Sequence, residues 1–220
     1  MGRAPFISLD GLDGTGKTTQ CRLLADWLRG RGYAVTECAD PGGTALGDVL
    51  RGLLLNHRQG MSVACEAFLF MASRAQLTEE VIRPGLDGGR AVVSDRFLLA
   101  NVVYQGYGGG LDPAQLWHMG RVATGGLEPD LTVVLDLPPE VARARRKGPA
   151  DRVEDRDAAY QQRVRDGFLA EARCRPERIR VVDASRPVDA VHASICTLAA
   201  GAFNREPGAT AGQRSPRARG

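Results

Sequence analysis

Short apolar runs and longer amphipathic stretches alternate along this chain. APFISLD reads as a buried strand, and TTQCRLLADWLRG, a few residues on, puts Leu24, Trp27 and Leu28 on one helical face. Gly30 and Gly32 break that pattern, and YAVTEC reads as a second strand. PGGT then turns into a helix near 45–55, with Thr44 as its cap. A longer helical segment covers about 63–82 and stops at Pro84-Gly85. AVVSD (91–95), LTVVLDL (131–137) and IRVVDA (179–184) read as further buried strands. Helices intervene, one opened by Asp112-Pro113 and closed by Gly125-Gly126. This alternation predicts an α/β fold, a parallel sheet of about five strands with helices on both faces. Ligands in such folds sit at the carboxyl ends of the strands. No repeat or shift of composition marks a boundary, so 1–204 reads as one domain and 205–220 as a disordered tail.

Charge and cysteine content narrow the class. The net charge is +3, and the tail accounts for all of it through Arg205, Arg214, Arg217 and Arg219 against Glu206. The formally neutral remainder argues against a nucleic-acid surface. No apolar run approaches a membrane span and the N-terminus carries no signal-type stretch, which predicts a cytoplasmic protein. The five cysteines are scattered without a Cys-x-x-Cys pair and predict reduced, buried thiols. The three histidines are isolated too, which argues against zinc.

Residues 9–20, LDGLDGTGKTTQ, carry the first chemistry. The spacing Gly11-x-x-x-x-Gly16-Lys17-Thr18 fits a phosphate-binding loop. Its glycines let the backbone curl so that N–H groups point at phosphate oxygens, and the next helix adds its positive dipole end. Gly11, Leu12, Asp13, Gly14, Thr15, Gly16, Lys17, Thr18 and Thr19 are therefore the expected ATP-binding set. Lys17 reaches the outer phosphates, and the Thr18 hydroxyl takes a magnesium position.

Three further stretches bear on the reaction. SDRF ends an apolar strand with Asp95, placed to support magnesium through water, followed by Arg96. In ARARRKGPADRVEDR, Arg143, Arg145, Arg146, Lys147 and Arg152 crowd a helix end and the loop after it. That stretch, about 140–156, reads as a lid that neutralises a phosphoryl group in flight and excludes water. In FLFMASRAQ, Phe70 and Arg74 are helix-face neighbours, suited to a planar base with a carbonyl edge. A guanine-nucleotide switch would need an Asn/Thr-Lys-x-Asp segment, and Lys17 and Lys147 are the only lysines. A deoxynucleoside kinase, with Asp10 or Asp40 as base, and a binding-only protein with a vestigial loop stay open on the residues alone.

FISLDGLDGTGKTTQ, PGGT, FLFMASRAQ, SDRF, VVYQG, PDLTVVLDL and DRVE, in this order, resemble bacterial thymidylate kinases from about residue 6 to 199. The resemblance implies a three-layer P-loop nucleoside monophosphate kinase fold, a homodimer, and magnesium-dependent transfer of the ATP γ-phosphoryl group to dTMP. It implies that Phe70 stacks on thymine, Arg74 meets its carbonyl edge and Asn101 contacts the base. Tyr104 would crowd the sugar 2′ position, with Gln105 beside it in the same dTMP-binding run. Arg96 would hold the acceptor phosphate with Asp13 nearby, and Asp40-Pro41 would form an acidic-Pro pair, commonly cis, beside the acceptor. Lys17, Arg96, Asp13, Arg145 and Arg146 make up the implied catalytic set, the lid arginines serving the transition state. The chain departs from the family pattern at Asp10, Ala39, Asp40 and Ala100, where Glu, Arg, Glu and Ser are usual. A monophosphate acceptor suits this composition, because its dianion is already nucleophilic and needs cations more than a base.

Overall fold

A computed structural model describes residues 4–56, 60–146 and 156–203. Lys147, Arg152 and the 205–220 tail lie outside the described residues. Five strands, β1 (Phe6–Gly11), β2 (Val35–Ala39), β3 (Ala91–Asp95), β4 (Leu131–Asp136) and β5 (Ile179–Asp183), form one parallel sheet in the order β2-β3-β1-β4-β5. The central strands β1, β3 and β4 are buried almost end to end, as their continuous apolar runs require when helices cover both faces. The edge strands β2 and β5 alternate or mix buried and open positions.

Strand order fixes the layers. From β1 the chain crosses by α1 (Lys17–Arg29) to the edge at β2, then returns past itself toward β5. Right-handed crossovers in opposite directions place α1 on one face and the later connections on the other. Those connections are α2 (Ala45–Asn56), α3 (Val63–Leu77), α4 (Arg83–Asp87), α5 (Leu98–Asn101), α6 (Pro113–Ala123), α7 (Pro139–Arg145) and α8 (Ala158–Cys174). The last helix, α9 (Val188–Phe203), packs on α1 and completes that layer. Direction reverses between β1 and β3, so the switch point where ligands bind lies at their carboxyl ends.

Several sequence expectations change in detail. The long helix does not stop at Pro84-Gly85. A π turn (Thr78–Ile82) follows α3, and Pro84 falls in the first turn of α4, which continues directly from it. Trp27 packs against the core but is only half-buried, with the Arg31 guanidinium 3.6 Å above its ring. The cysteines are free, yet only Cys21 is buried, and Cys65 and Cys174 are exposed because they lie on outer helix faces. Thr44 and Asp112 cap as expected, accepting from Gly47 N at 2.9 Å and Ala114 N at 2.8 Å. Among the described residues no helix is long and apolar enough to cross a membrane.

Candidate active site

The glycine-rich loop leaves β1 at Gly11 and enters α1 at Lys17. Gly14 and Gly16 adopt left-handed φ values of 90° and 95°. A Cβ at Gly14 would lie 2.1 Å from the Ala142 carbonyl oxygen, so only glycine lets the loop pass under α7. No side chain caps α1, which leaves its first N–H groups for an anion. Thr15 Oγ1 and Lys17 Nζ each donate to Leu12 O at 2.8 Å, which fixes the loop's curl. Lys17 Nζ also reaches Asp13 Oδ1 at 3.3 Å.

Next to the loop, β3 ends in Asp95 and Arg96. Arg96 has a φ of 69°, a backbone state that non-glycine residues avoid. Its N–H is held by Leu9 O at 2.9 Å, and its side chain turns back to Gly11 O at 2.9 Å and to Asp13 Oδ1. Tyr104 lies 3.4 Å from Arg96 Nη2 through its hydroxyl, and its own carbonyl is held by the Tyr160 hydroxyl at 2.8 Å. Thr18 Oγ1 donates to Asp95 Oδ2 at 2.5 Å, bringing together the hydroxyl and carboxylate expected around magnesium.

A cavity of about 420 Å³ opens between these groups and α3, lined by Lys17, Arg96, Phe70, Arg74 and Tyr104 among others. Phe70 is half-buried on its wall. Arg74 is almost fully buried and donates through Nε to Asp40 at 2.6 Å and through Nη1 to Asn101 Oδ1 at 2.9 Å. Its Nη2 has a long contact of 3.5 Å to Phe97 O, so this end of the guanidinium retains donor capacity. Asn101 closes α5, and a π turn (Val102–Gly108) carries Tyr104 and Gln105 into the same wall. The Asp40-Pro41 bond is cis, and Arg51 Nη1 holds the Pro41 carbonyl at 2.8 Å.

Electrostatics separate the carboxylates. Burial alone would raise Asp13, but the charges of Arg96 and Lys17 overcome it and hold the group well below the usual carboxylate range. Burial pushes Asp10 up to about 7 against the pull of Arg96 and Lys17. Neither Asp10 oxygen has a hydrogen-bond partner. Lys17 is lowered by burial and then by Arg96. Burial also raises Asp40, with Arg74 opposing.

The residues fit magnesium. Asp95 and the Thr18 hydroxyl offer hard oxygens at the helix start, with Asp10 close enough to feel the Asp95 charge. Among the described residues no group of three or more His, Cys, Asp or Glu side chains could cage a metal.

Arg145 and Arg146 lie next to each other in sequence and point apart. Arg145 donates to Ala184 O at 2.8 Å and Ser185 O at 3.3 Å, and it borders both the main cavity and a cavity along the outer side of the loop. Arg146 lines a separate cavity with Asp13, Arg143 and Arg156, its Cγ close to Gly14. Sequence reasoning missed Arg51 and Glu66. Arg51 lines the main cavity, and Glu66, wholly buried on α3, lies behind it. A carboxylate within an apolar helix face was the signal for Glu66, and for Arg51 there was none.

Comparison with known proteins identifies the family and the fold. A family model described as thymidylate kinase matches residues 9–195. The chain is 46% identical over 193 residues to a thymidylate kinase of Rhodopirellula baltica, covering 88% of this chain and 79% of that one. It is 47% identical over 195 residues to one of Symbiobacterium thermophilum, covering 88% and 91%. A crystal structure of thymidylate kinase from Ehrlichia chaffeensis superposes with a TM-score of 0.74 at 31% identity, covering 89% of this chain and 98% of that one.

Proposed function

The chain belongs to the thymidylate kinase family, and we infer from that premise and from the cleft that it transfers the γ-phosphoryl group of ATP to dTMP, giving ADP and dTDP. The observation that carries the reading is the meeting of two phosphate-seeking cations on one carboxylate. Lys17 from the loop and Arg96 from the end of β3 both bond Asp13 Oδ1, at the mouth of a cavity that ends in Phe70 and Arg74. A donor phosphate on the loop and an acceptor phosphate on Arg96 would be adjacent, with the acceptor base at Phe70.

In the reaction an oxygen of the dTMP phosphate dianion attacks the γ-phosphorus, and the bond from that phosphorus to the bridging oxygen of ADP breaks. No proton need be removed from the nucleophile. Lys17 and Arg96 neutralise charge on the transferring group, and Asp13 keeps the two cations near each other. Magnesium, when bound at Thr18 and at Asp95 through water, supplies electrostatic stabilisation to the phosphates. Phe70 offers the stacking face, Arg74 Nη2 and Asn101 the polar edge, and Tyr104 with Gln105 closes the sugar side. Asp40 and Pro41 shape the acceptor wall. Arg145 suits the nucleoside side of ATP and Arg146 the transition state, within a lid of about 140–156.

The same reading takes the protein as a cytoplasmic homodimer built on one domain over 1–204. The dimer is supported by exposed apolar side chains on helices that pack together: Leu46, Val49 and Leu53 on α2, Phe68 on α3 and Val122 on α6. A coupled ADP-release assay across nucleosides and nucleoside monophosphates tests the function. ADP release should require dTMP, and phosphorylation of thymidine in its place would mean a hydroxyl-activating kinase.

A further inference from the structure

A row of buried side chains runs behind the base end of the cavity, from Arg74 to Arg156. Arg74 Nη1 donates to Asn101 Oδ1 at 2.9 Å, Asn101 Nδ2 donates to Gln105 Oε1 at 2.7 Å, and Gln105 Nε2 donates to Glu66 Oε1 at 2.7 Å. The other Glu66 oxygen accepts from Arg156 Nη2 at 2.7 Å. Arg74, Asn101, Gln105 and Glu66 are all nearly or wholly buried, so water competes poorly for the bonds among them.

The ends of the row decide how its middle is oriented. A carboxamide can in principle sit either way round, since its oxygen and nitrogen are nearly equal in size. Arg74 and Arg156 can only donate, and an ionised carboxylate can only accept. Glu66 therefore has to be approached by donors on both of its oxygens, and it is. A glutamine there would have one oxygen. Were Arg156 to take it, the amide nitrogen would face Gln105 Nε2, donor against donor. Turning Gln105 over would only move that conflict to Asn101 Nδ2.

We propose that Glu66 is a specificity-determining positioning residue, which fixes the amide orientations of Gln105 and Asn101 and so sets the pattern that the acceptor base meets. The proposal rests on the reading of this cavity as the dTMP site. With Oδ1 held toward Arg74, Asn101 sets an acceptor beside the guanidinium donors. Thymine presents the complement, a ring N3–H beside the O4 carbonyl. Cytosine presents a bare N3 beside an amino group, which opposes the site at both positions. Glu66 touches neither substrate and acts through Gln105.

The test compares kcat and KM for dTMP and dCMP in wild type, Glu66→Gln, and Glu66→Gln combined with Gln105→Glu. In the double variant the carboxylate at position 105 accepts from Asn101 Nδ2 and from the amide nitrogen at position 66, whose oxygen still accepts from Arg156. Each bond of the row given above regains a donor and an acceptor. Glu66→Gln should narrow the dTMP-to-dCMP ratio of kcat/KM by about tenfold, mainly through KM for dTMP, the scale of one buried unmatched donor. The double variant should recover most of that ratio. An unchanged ratio in the single variant overturns the assignment. So does a double variant that melts at the wild-type temperature yet discriminates no better than the single. If the single variant does not fold, recovery of both fold and ratio in the double counts for the proposal, and failure to recover counts against it. Wild-type protein that does not phosphorylate dTMP would instead remove the functional reading beneath it.

Discussion

Arg96 Nη2 donates to Asp13 Oδ1, tying the end of β3 to the phosphate-binding loop, and Lys17 Nζ reaches the same oxygen at 3.3 Å. One carboxylate oxygen thus joins the cation proposed for the donor to the cation proposed for the acceptor. Asp13→Asn keeps the shape and removes the charge that holds Lys17 and Arg96 together. We expect kcat to fall by roughly tenfold or more, with a smaller change in KM for ATP. A variant with raised KM and wild-type kcat would reduce Asp13 to a binding contact.

Asp10 should make stability depend on pH in an unusual direction. Its folded pKa of about 7 lies above the ordinary 3.8, so the folded chain binds this proton more tightly than the unfolded one. Its contribution is full below about pH 4, where both states are protonated, and is lost as pH rises toward 7. Asp10→Asn removes the titration while keeping the volume. Melting temperatures of the nucleotide-free protein should therefore favour the variant near pH 7.5, and its advantage should shrink by pH 5. Parallel curves for the two proteins would place Asp10 in a more polar setting than its unpartnered oxygens indicate.

Arg74 and Asp40 form an ion pair of 2.6 Å with both side chains almost fully buried. Removing one partner strands the other charge, a loss of about 3–5 kcal/mol. Arg74→Ala should show this in urea unfolding, and adding Asp40→Asn should return part of it. Beyond stability, the dTMP-to-dCMP preference should drop in Arg74→Ala, because Nη2 is the donor left for a base carbonyl. A retained preference would mean that Arg74 only braces Asp40 and Asn101.

The diverging Arg145 and Arg146 should separate kinetically. Arg145 is bonded to the carbonyls of Ala184 and Ser185, beside a cavity that continues along the outer side of the loop. Arg145→Ala should raise KM for ATP with little change in kcat. Both arginines border cavities that Asp13 also lines, but Arg146 packs its Cγ by Gly14 of the loop while Arg145 is held to backbone carbonyls, so Arg146→Ala should lower kcat more than it changes KM. Equal effects in both variants would return them to a single shared role.

Much of this architecture was legible in the sequence, and what was missed has physical reasons. The three central strands announce themselves because parallel strands covered on both faces are continuous apolar runs, while the edge strands β2 and β5 are read from their β-branched residues. The loop is legible because phosphate binding needs glycines at fixed spacing. Residues 97–106 are buried without interruption, so no periodicity distinguishes helix from strand there. Two valines, Val102 and Val103, add a bias toward strand. The motif residues Asn101, Tyr104 and Gln105 could be named through family resemblance, and their π turn could not. The Glu66–Arg156 pair spans 90 residues and depends on how α3 meets the start of α8, which no local pattern records.

The π turn between Val102 and Gly108 works as a phase shift in the wall of the cleft. An α-helix advances each side chain by a fixed angle, and a wider turn resets that count midway. The α5 residues before it and the side chains after it can then face one cavity that an unbroken α-helix would leave between them. Length in this segment therefore matters more than composition. Deleting one residue from it could leave a well-formed helix and an intact core, yet swing Tyr104 and Gln105 by about 100° away from the acceptor. Tolerance to substitution and tolerance to deletion should part company here, the conformational length of eleven residues (98–108) being the quantity the site conserves.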